Sequence, residues 1–304
     1  MSENPTPPPK RPHPLEAPPP RPRSAPPQTP NPSSGKARVP LGPNQILLRI
    51  PTVQPYVTYV LIAINVAIFA IRALFPSLNL LLVDMGANNQ TAVLVNGEFH
   101  RLLTSMFLHA SLFDARGQLL AENALHIAFN MYALWIIGAP QERMFGHVRY
   151  GLIYLLGGLT GSVFSALLGG PDIYSIGASG AVFAVFGAEF VFWYRHRLLF
   201  GAGGRAHLRS LATLLVINLA FGLLANLGNG VQIDNLAHIG GLIGGLILTW
   251  FLGPYYNLRR DPEKPMEFIA EDTNPLKNNV AVVVLYASAL LLALIAGRLI
   301  LNGG

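Results

Sequence analysis

The chain has 304 residues, of which half are hydrophobic and only 12% charged, with a mean hydropathy of +0.41; a soluble domain carries about a quarter charged residues. This balance excludes an ordinary soluble globular protein and points to the membrane. The absence of cysteine excludes a disulfide framework, a thiol nucleophile and thiolate metal ligation, while the net charge of +6 leaves the kind of partner open until the charges are placed.

Residues 1–54 hold 17 of the 25 prolines, in runs such as "PTPPPKRP" and "APPPRPRSAPP". Such a segment buries no apolar surface and is expected to be a disordered, basic, cytoplasmic tail; the other reading is a ligand for a groove that takes Pro-rich peptides. Its polarity and prolines predict no cleavable signal peptide in this stretch. From Tyr56 onward the apolar runs predict seven spanning helices, at 56–75, 123–140, 149–169, 177–194, 210–228, 234–253 and 279–300. The long mixed stretch between the first two predicts short helices at the membrane surface.

Lys and Arg set the orientation. With the N-terminus inside, 17 of the 21 fall in the tail and the inner connections. Arg101, Arg116 and Arg298 fall outside, and Arg72 lies near the outer end of the first span. The positive charge then faces the cytoplasmic leaflet of a plasma (inner) membrane, with no nucleic acid needed to explain it. Trp193 and Trp250 fall at inner span ends, as an aromatic belt places them.

With depth readable, three spans carry polar groups at one level: Ser179 at the start of the fourth, His238 one turn into the sixth, and His126 and Asn130, four apart and so on one face, in the second. A polar group inside a bilayer is costly unless paired. Taken singly, each residue fits a helix–helix hydrogen-bond network. Together they match a chemical task, in which a histidine takes the proton of a serine nucleophile while amide and imidazole groups donate to a developing oxyanion. Closeness of the fourth and sixth spans is predicted by small residues at Ala237, Gly241 and Gly245, facing Gly180 and Ala184. Gly177 gives the chain freedom to enter its helix tightly. The pattern G-x-S-G heads a membrane helix and lacks the strand of a hydrolase elbow. Asp234, four residues before His238, reads as a helix cap rather than a third catalytic member.

These motifs resemble the rhomboid intramembrane serine proteases: "GASGA" at 177–181, "AHIGG" at 237–241, "HIAFN" at 126–130, the first-loop "HRLLTSMFLH" with Arg101, Thr104 and His109, and Glu142 to Gly146 in "QERMFG". The resemblance covers about residues 55–253. It implies an all-α polytopic membrane protein, a rhomboid-like six-helix bundle at 55–253, with a linker and one additional C-terminal transmembrane helix at 254–304. It also implies a Ser–His dyad that cleaves peptide bonds in or beside transmembrane segments of other membrane proteins. Ser179 is then the nucleophile and His238 the base. Asn130, His126 and the Ser179 N–H form the oxyanion site, and Phe183 packs on His238. No cofactor and no metal is implied. The chain departs from compact relatives by about a dozen extra residues, "FDARGQLLAENA", before the second span, and by His100 ahead of Arg101. Arg101 is expected to anchor the first loop, Glu142 the inner end of the second span, and "NLGNGVQID" with the outer half of the fifth span to form a gate. Two rival readings are a transporter, against which no inverted repeat is visible, and a catalytically inert helix-binding relative, which would be expected to lack the serine or the histidine.

Overall fold

The computed structural model describes residues 47–114, 116–227, 233–264 and 267–303; the expected disordered tail up to residue 46 lies outside them, as does the centre of the expected gate loop at 228–232. In chain order the elements are β1 (Leu47–Arg49), α1 (Tyr56–Leu74), α2 (Pro76–Gly86), β2 (Asn88–Asn89), α3 (Arg101–Thr104), α4 (Ala121–Ala133), α5 (Ala139–Phe145), α6 (His147–Leu168), β3 (Tyr174–Ser175), α7 (Ser179–Arg195), α8 (Gly201–Ala225), α9 (Asn235–Leu252), β4 (Tyr256–Arg260), β5 (Glu267–Asp272) and α10 (Val280–Asn302). Every apolar run expected to span is helical. Five of the helices, α1, α6, α8, α9 and α10, are long and apolar enough to cross a membrane, and the protein is an all-α polytopic membrane protein.

Two spans differ from the sequence reading, each for a local reason. The second is not one regular helix: α4 passes through a π-helical turn at Leu134–Gly138 into α5. Pro140 lacks an N–H and so disrupts the α-helical ladder, which the wider turn absorbs. The fifth begins at Gly201, well before 210, although "GAGGRAHLRS" is glycine-rich and basic. Contact with α7 holds this first part: His207 meets Glu189 at 3.2 Å and tilts against Trp193 with ring centroids 4.4 Å apart. Trp193 joins this contact, its indole N–H donating to the buried Glu189 carboxylate at 2.6 Å.

The centre of the bundle is α6, α7 and α9, and glycine sets their spacing. A Cβ on Gly241 would run into the Gly180 carbonyl, and one on Gly245 into that of Ala184; one on Gly161 would lie 2.6 Å from the Ala237 carbonyl oxygen. Backbone therefore packs on backbone, the contact by which membrane helices associate without a hydrophobic drive. α1 is fastened differently. Pro55 precedes it and offers no side-chain cap. The fully buried Glu142 of α5 takes that part, accepting from the N–H groups of Val57 (2.9 Å) and Thr58 (2.7 Å), the Thr58 hydroxyl (2.6 Å) and His147 Nδ1 (2.6 Å). A carboxylate on the first N–H groups of a helix meets both orphan donors and dipole.

The first long connection folds into short helices, as expected. Arg101 holds it, bonding Glu98 at 2.5 Å and the Ala87 carbonyl at 3.1 Å. The extra residues before α4 form a turn in which Asp114 accepts from the N–H groups of Arg116 and Gln118, both at 2.8 Å. The sequence reading missed a three-stranded sheet at the end of the bundle away from Ser179, where β1 pairs in parallel with β5 and β5 antiparallel with β4. Leu47–Arg49 is thus a strand rather than the close of the tail.

Candidate active site

Ser179 is the first residue of α7, and its placement starts from Gly177. That residue has φ +132, a backbone region closed to other side chains, and its N–H donates to the Ser105 carbonyl at 2.9 Å. A Cβ there would lie 3.7 Å from the His126 ring and equally far from Ser179 Oγ, so the imidazole and the hydroxyl border the same open glycine face. Ala178 supplies no side-chain cap, which leaves first-turn N–H groups of α7 without side-chain partners beside the hydroxyl.

His238 comes from the first turn of α9, which reaches α7 through the Gly241 contact. Its ring stacks on Phe183, one turn after the serine, with centroids 4.2 Å apart and planes 11° from parallel. Asp234 caps α9, accepting from the Ala237 N–H at 2.9 Å, as its position before the helix implied. His238 Nδ1 is buried and has no hydrogen-bond partner among the described residues.

Ser179, His238 and His126 all line one cavity of about 240 Å³, with Asp234, Ser175 and Ala110 also in its wall. Asn130 does not line it. It lies one turn along α4 from His126, buried, with Nδ2 unpartnered among the described residues. Gly180, Gly241 and Gly245 stand behind the cavity as packing residues. His109, from the first loop, lies edge-on to His126 with centroids 5.9 Å apart; burial pushes its imidazole down to about 3, with His126 and Arg72 adding to the effect. Its backbone carbonyl accepts from the Arg72 guanidinium, which ties the end of α1 to this loop. Asn226 and Ile233, from the expected gate segment, also line it, as do Ile173, Tyr174 and Ile176, which sequence reasoning did not single out. Asn226 and Ile233 bond each other twice at 2.7 Å across the loop they flank; Ile173, Tyr174 and Ile176 sit just before the G-x-S-G motif, with no charged group to mark them. Among the described residues no group of three or more His, Asp or Glu converges as a metal site.

Fold and cavity define the class: a polytopic helical membrane protein that encloses a serine hydroxyl and two imidazoles between its own helices. The Rhomboid domain family matches residues 96–255, which contain all of these groups, and the chain belongs to the rhomboid family. It is 36% identical over 206 residues to Rhomboid protease GluP of Bacillus subtilis (strain 168), covering 66% of this chain and 35% of that protein. To RHOMBOID-like protein 1 of Arabidopsis thaliana it is 34% identical over 221 residues, covering 72% and 51%. To Putative rhomboid protease YdcA of Bacillus subtilis (strain 168) it is 31% identical over 200 residues, covering 64% and 87%. The chain thus spans about a third of GluP and about half of RHOMBOID-like protein 1.

Proposed function

We propose that the protein is an intramembrane serine endopeptidase that hydrolyses peptide bonds in or near transmembrane segments of other membrane proteins. The observation that carries this reading is the meeting of Ser179, His238 and His126, from α7, α9 and α4, on one cavity. Family membership and the protease names of GluP and YdcA support it independently.

In this reading His238 takes the proton from Ser179 Oγ as the oxygen attacks the scissile carbonyl carbon. The carbonyl π electrons move to oxygen, and the oxyanion receives hydrogen bonds from the Ser179 N–H, His126 and Asn130. The C–N bond breaks, His238 returns the proton to the leaving amine, and an acyl-enzyme ester remains. Water, deprotonated by His238, attacks the ester and releases the acid and Ser179. The Phe183 stack holds the His238 ring during both transfers. The distribution of Lys and Arg supports an N-terminus on the cytoplasmic side of the plasma membrane, with the Ser179 end of the bundle toward the opposite face. Substrate helices that unwind easily, with Gly, Ala or Ser at the cut, suit a site that must reach a peptide carbonyl.

α8 supports the gate reading: only Gly204, Leu211 and Gly222 along it are buried, and Asn226 at its end closes the cavity wall. A crosslink from the Ser179-side half of α8 to the start of α9 is expected to slow cleavage, and unchanged turnover rejects the gate. The function itself is tested with a fluorophosphonate probe and a single-span substrate in liposomes. Covalent labelling and cleavage are expected in the wild type and absent in Ser179→Ala and His238→Ala; an active Ser179→Ala protein overturns the assignment.

A further inference from the structure

At the end of the bundle away from Ser179, α7 and α9 leave between them an apolar groove of about 440 Å³, walled by Phe190, Val191 and Tyr194 on one side and Ile247, Trp250 and Phe251 on the other. Its volume is that of a small-molecule site, roughly 300–1,000 Å³, and its walls are almost wholly hydrocarbon. Val191 is buried at the base, whereas Tyr194, Ile247, Trp250 and Phe251 are between 42% and 52% exposed, so the protein itself leaves them uncovered.

Two arginines stand at the groove's end, each stacked on a ring from one wall. The Arg195 guanidinium lies 5.8 Å from the Trp250 ring centroid and 4.8 Å from that of Tyr255, and its Nη1 donates to the Trp250 carbonyl at 2.9 Å. The Arg197 guanidinium lies 4.4 Å over the Tyr194 ring, and its Nη1 donates to the Tyr194 carbonyl at 2.8 Å. Guanidinium offers five donors, so each arginine keeps most of its capacity after these bonds. None of the ion pairs among the described residues uses either one. A hydrocarbon slot that ends in two held cations without acidic partners has the chemistry of a phospholipid seat, and basic clefts between spanning helices take anionic headgroups. A soluble anion would make no use of the slot, and a helix, about 10 Å across, would lie over it rather than enter.

We propose that this groove binds one anionic glycerophospholipid of the bilayer, with an acyl chain between α7 and α9 and the phosphate on Arg195 and Arg197. Because α7 starts with Ser179 and α9 carries His238, the lipid braces the two helices that hold the site.

The test is native mass spectrometry of the full chain in detergent, with phosphatidylglycerol or phosphatidylcholine of identical chains added. The wild type is expected to retain one phosphatidylglycerol at about tenfold lower concentration than phosphatidylcholine. The Arg195→Gln/Arg197→Gln variant is expected to lose that preference. Ile247→Trp, which fills the slot and leaves both arginines, is expected to lose retention of either lipid and carries the test if the double variant does not fold. A diazirine-bearing phosphatidylglycerol should label peptides of α7 and α9. Equal retention of the two lipids by the wild type, undiminished retention in Ile247→Trp, labelling confined to other helices, or a groove covered by a second copy of the chain overturns the proposal.

Discussion

Phe183 and His238 lie face to face, 4.2 Å between ring centroids, so the helix that presents the serine also fixes the plane of the imidazole. If His238 exchanges protons with Ser179, this plane sets the angle at which its nitrogen meets Oγ. Phe183→Ala is expected to lower kcat by about 10- to 100-fold, the scale of loss from a small misplacement of a reacting group, with KM little changed. Phe183→Tyr keeps the ring and most of the rate. Steady-state cleavage of a single-span substrate measures both, and a full rate in Phe183→Ala would separate the stack from the chemistry.

Asn130 is buried one turn from His126, with Nδ2 unpartnered among the described residues. A buried amide without a partner is costly, and an oxyanion formed only during reaction would satisfy it. Asn130→Ala is therefore expected to lose on the order of 100-fold in kcat, with substrate affinity retained, as befits an interaction made only in the transition state. Fluorophosphonate labelling should slow in parallel. If Asn130→Ala raises KM alone, the side chain positions substrate and does not stabilise charge.

Glycine is required at one helix position and dispensable at another, and substitution tells them apart. A Cβ on Gly241 meets the Gly180 carbonyl, whereas one on Gly203, in α8, meets nothing within 4 Å. Gly241→Ala must push α9 from α7, and is expected to cost about 1–3 kcal/mol, the range for overpacking a tight core, together with most of the activity. Gly203→Ala gains helix propensity of up to about 1 kcal/mol and is expected to raise the unfolding midpoint slightly. Thermal unfolding in detergent compares them directly; equal midpoints would mean that the backbone contact of α7 and α9 does not limit stability.

Hydropathy and motif spacing carried the helical character of the apolar runs and picked out Ser179, His238 and His126, which line one cavity, because a bilayer forces long apolar runs and penalises each polar group within them. Other features depend on partners distant in sequence. Glu142 caps α1 from 84 or 85 residues away, and no local signal in "QERMFG" specifies that. The early start of α8 depends on Glu189 and Trp193 of α7, which override a glycine-rich segment of low propensity. The sheet was hidden because β1 is three residues long and β4, "YNLRR", reads as a basic linker until β5 is placed beside it. Asn130 shares the His126 face yet stays off the cavity surface, a depth that helical periodicity alone does not resolve.

The same sheet is fastened to α7 by His196, which gives the protein a pH-dependent joint. His196 is buried directly after α7. Its Nδ1 donates to the Phe192 carbonyl at 2.8 Å, and its Nε2 accepts from the Tyr256 N–H at 2.9 Å. Because Tyr256 must donate, the ring is neutral with its proton on Nδ1. Burial holds it below the ordinary value of 6.5; adjacent Arg195 acts in the same direction, while the Phe192 carbonyl and Asp272 oppose it. Between the folded value and 6.5 the unfolded segment binds a proton that the folded one refuses, so this stabilisation is complete above 6.5 and declines as pH falls toward the folded value. Protonation also sets an N–H against the Tyr256 N–H. Hydrogen exchange at Tyr256 and its β4 neighbours, corrected for intrinsic rates, is expected to lose protection between about pH 7.5 and pH 5. His196→Gln should flatten that dependence. Wild-type protection that is constant across the range would mean that His196 does not hold the sheet to α7.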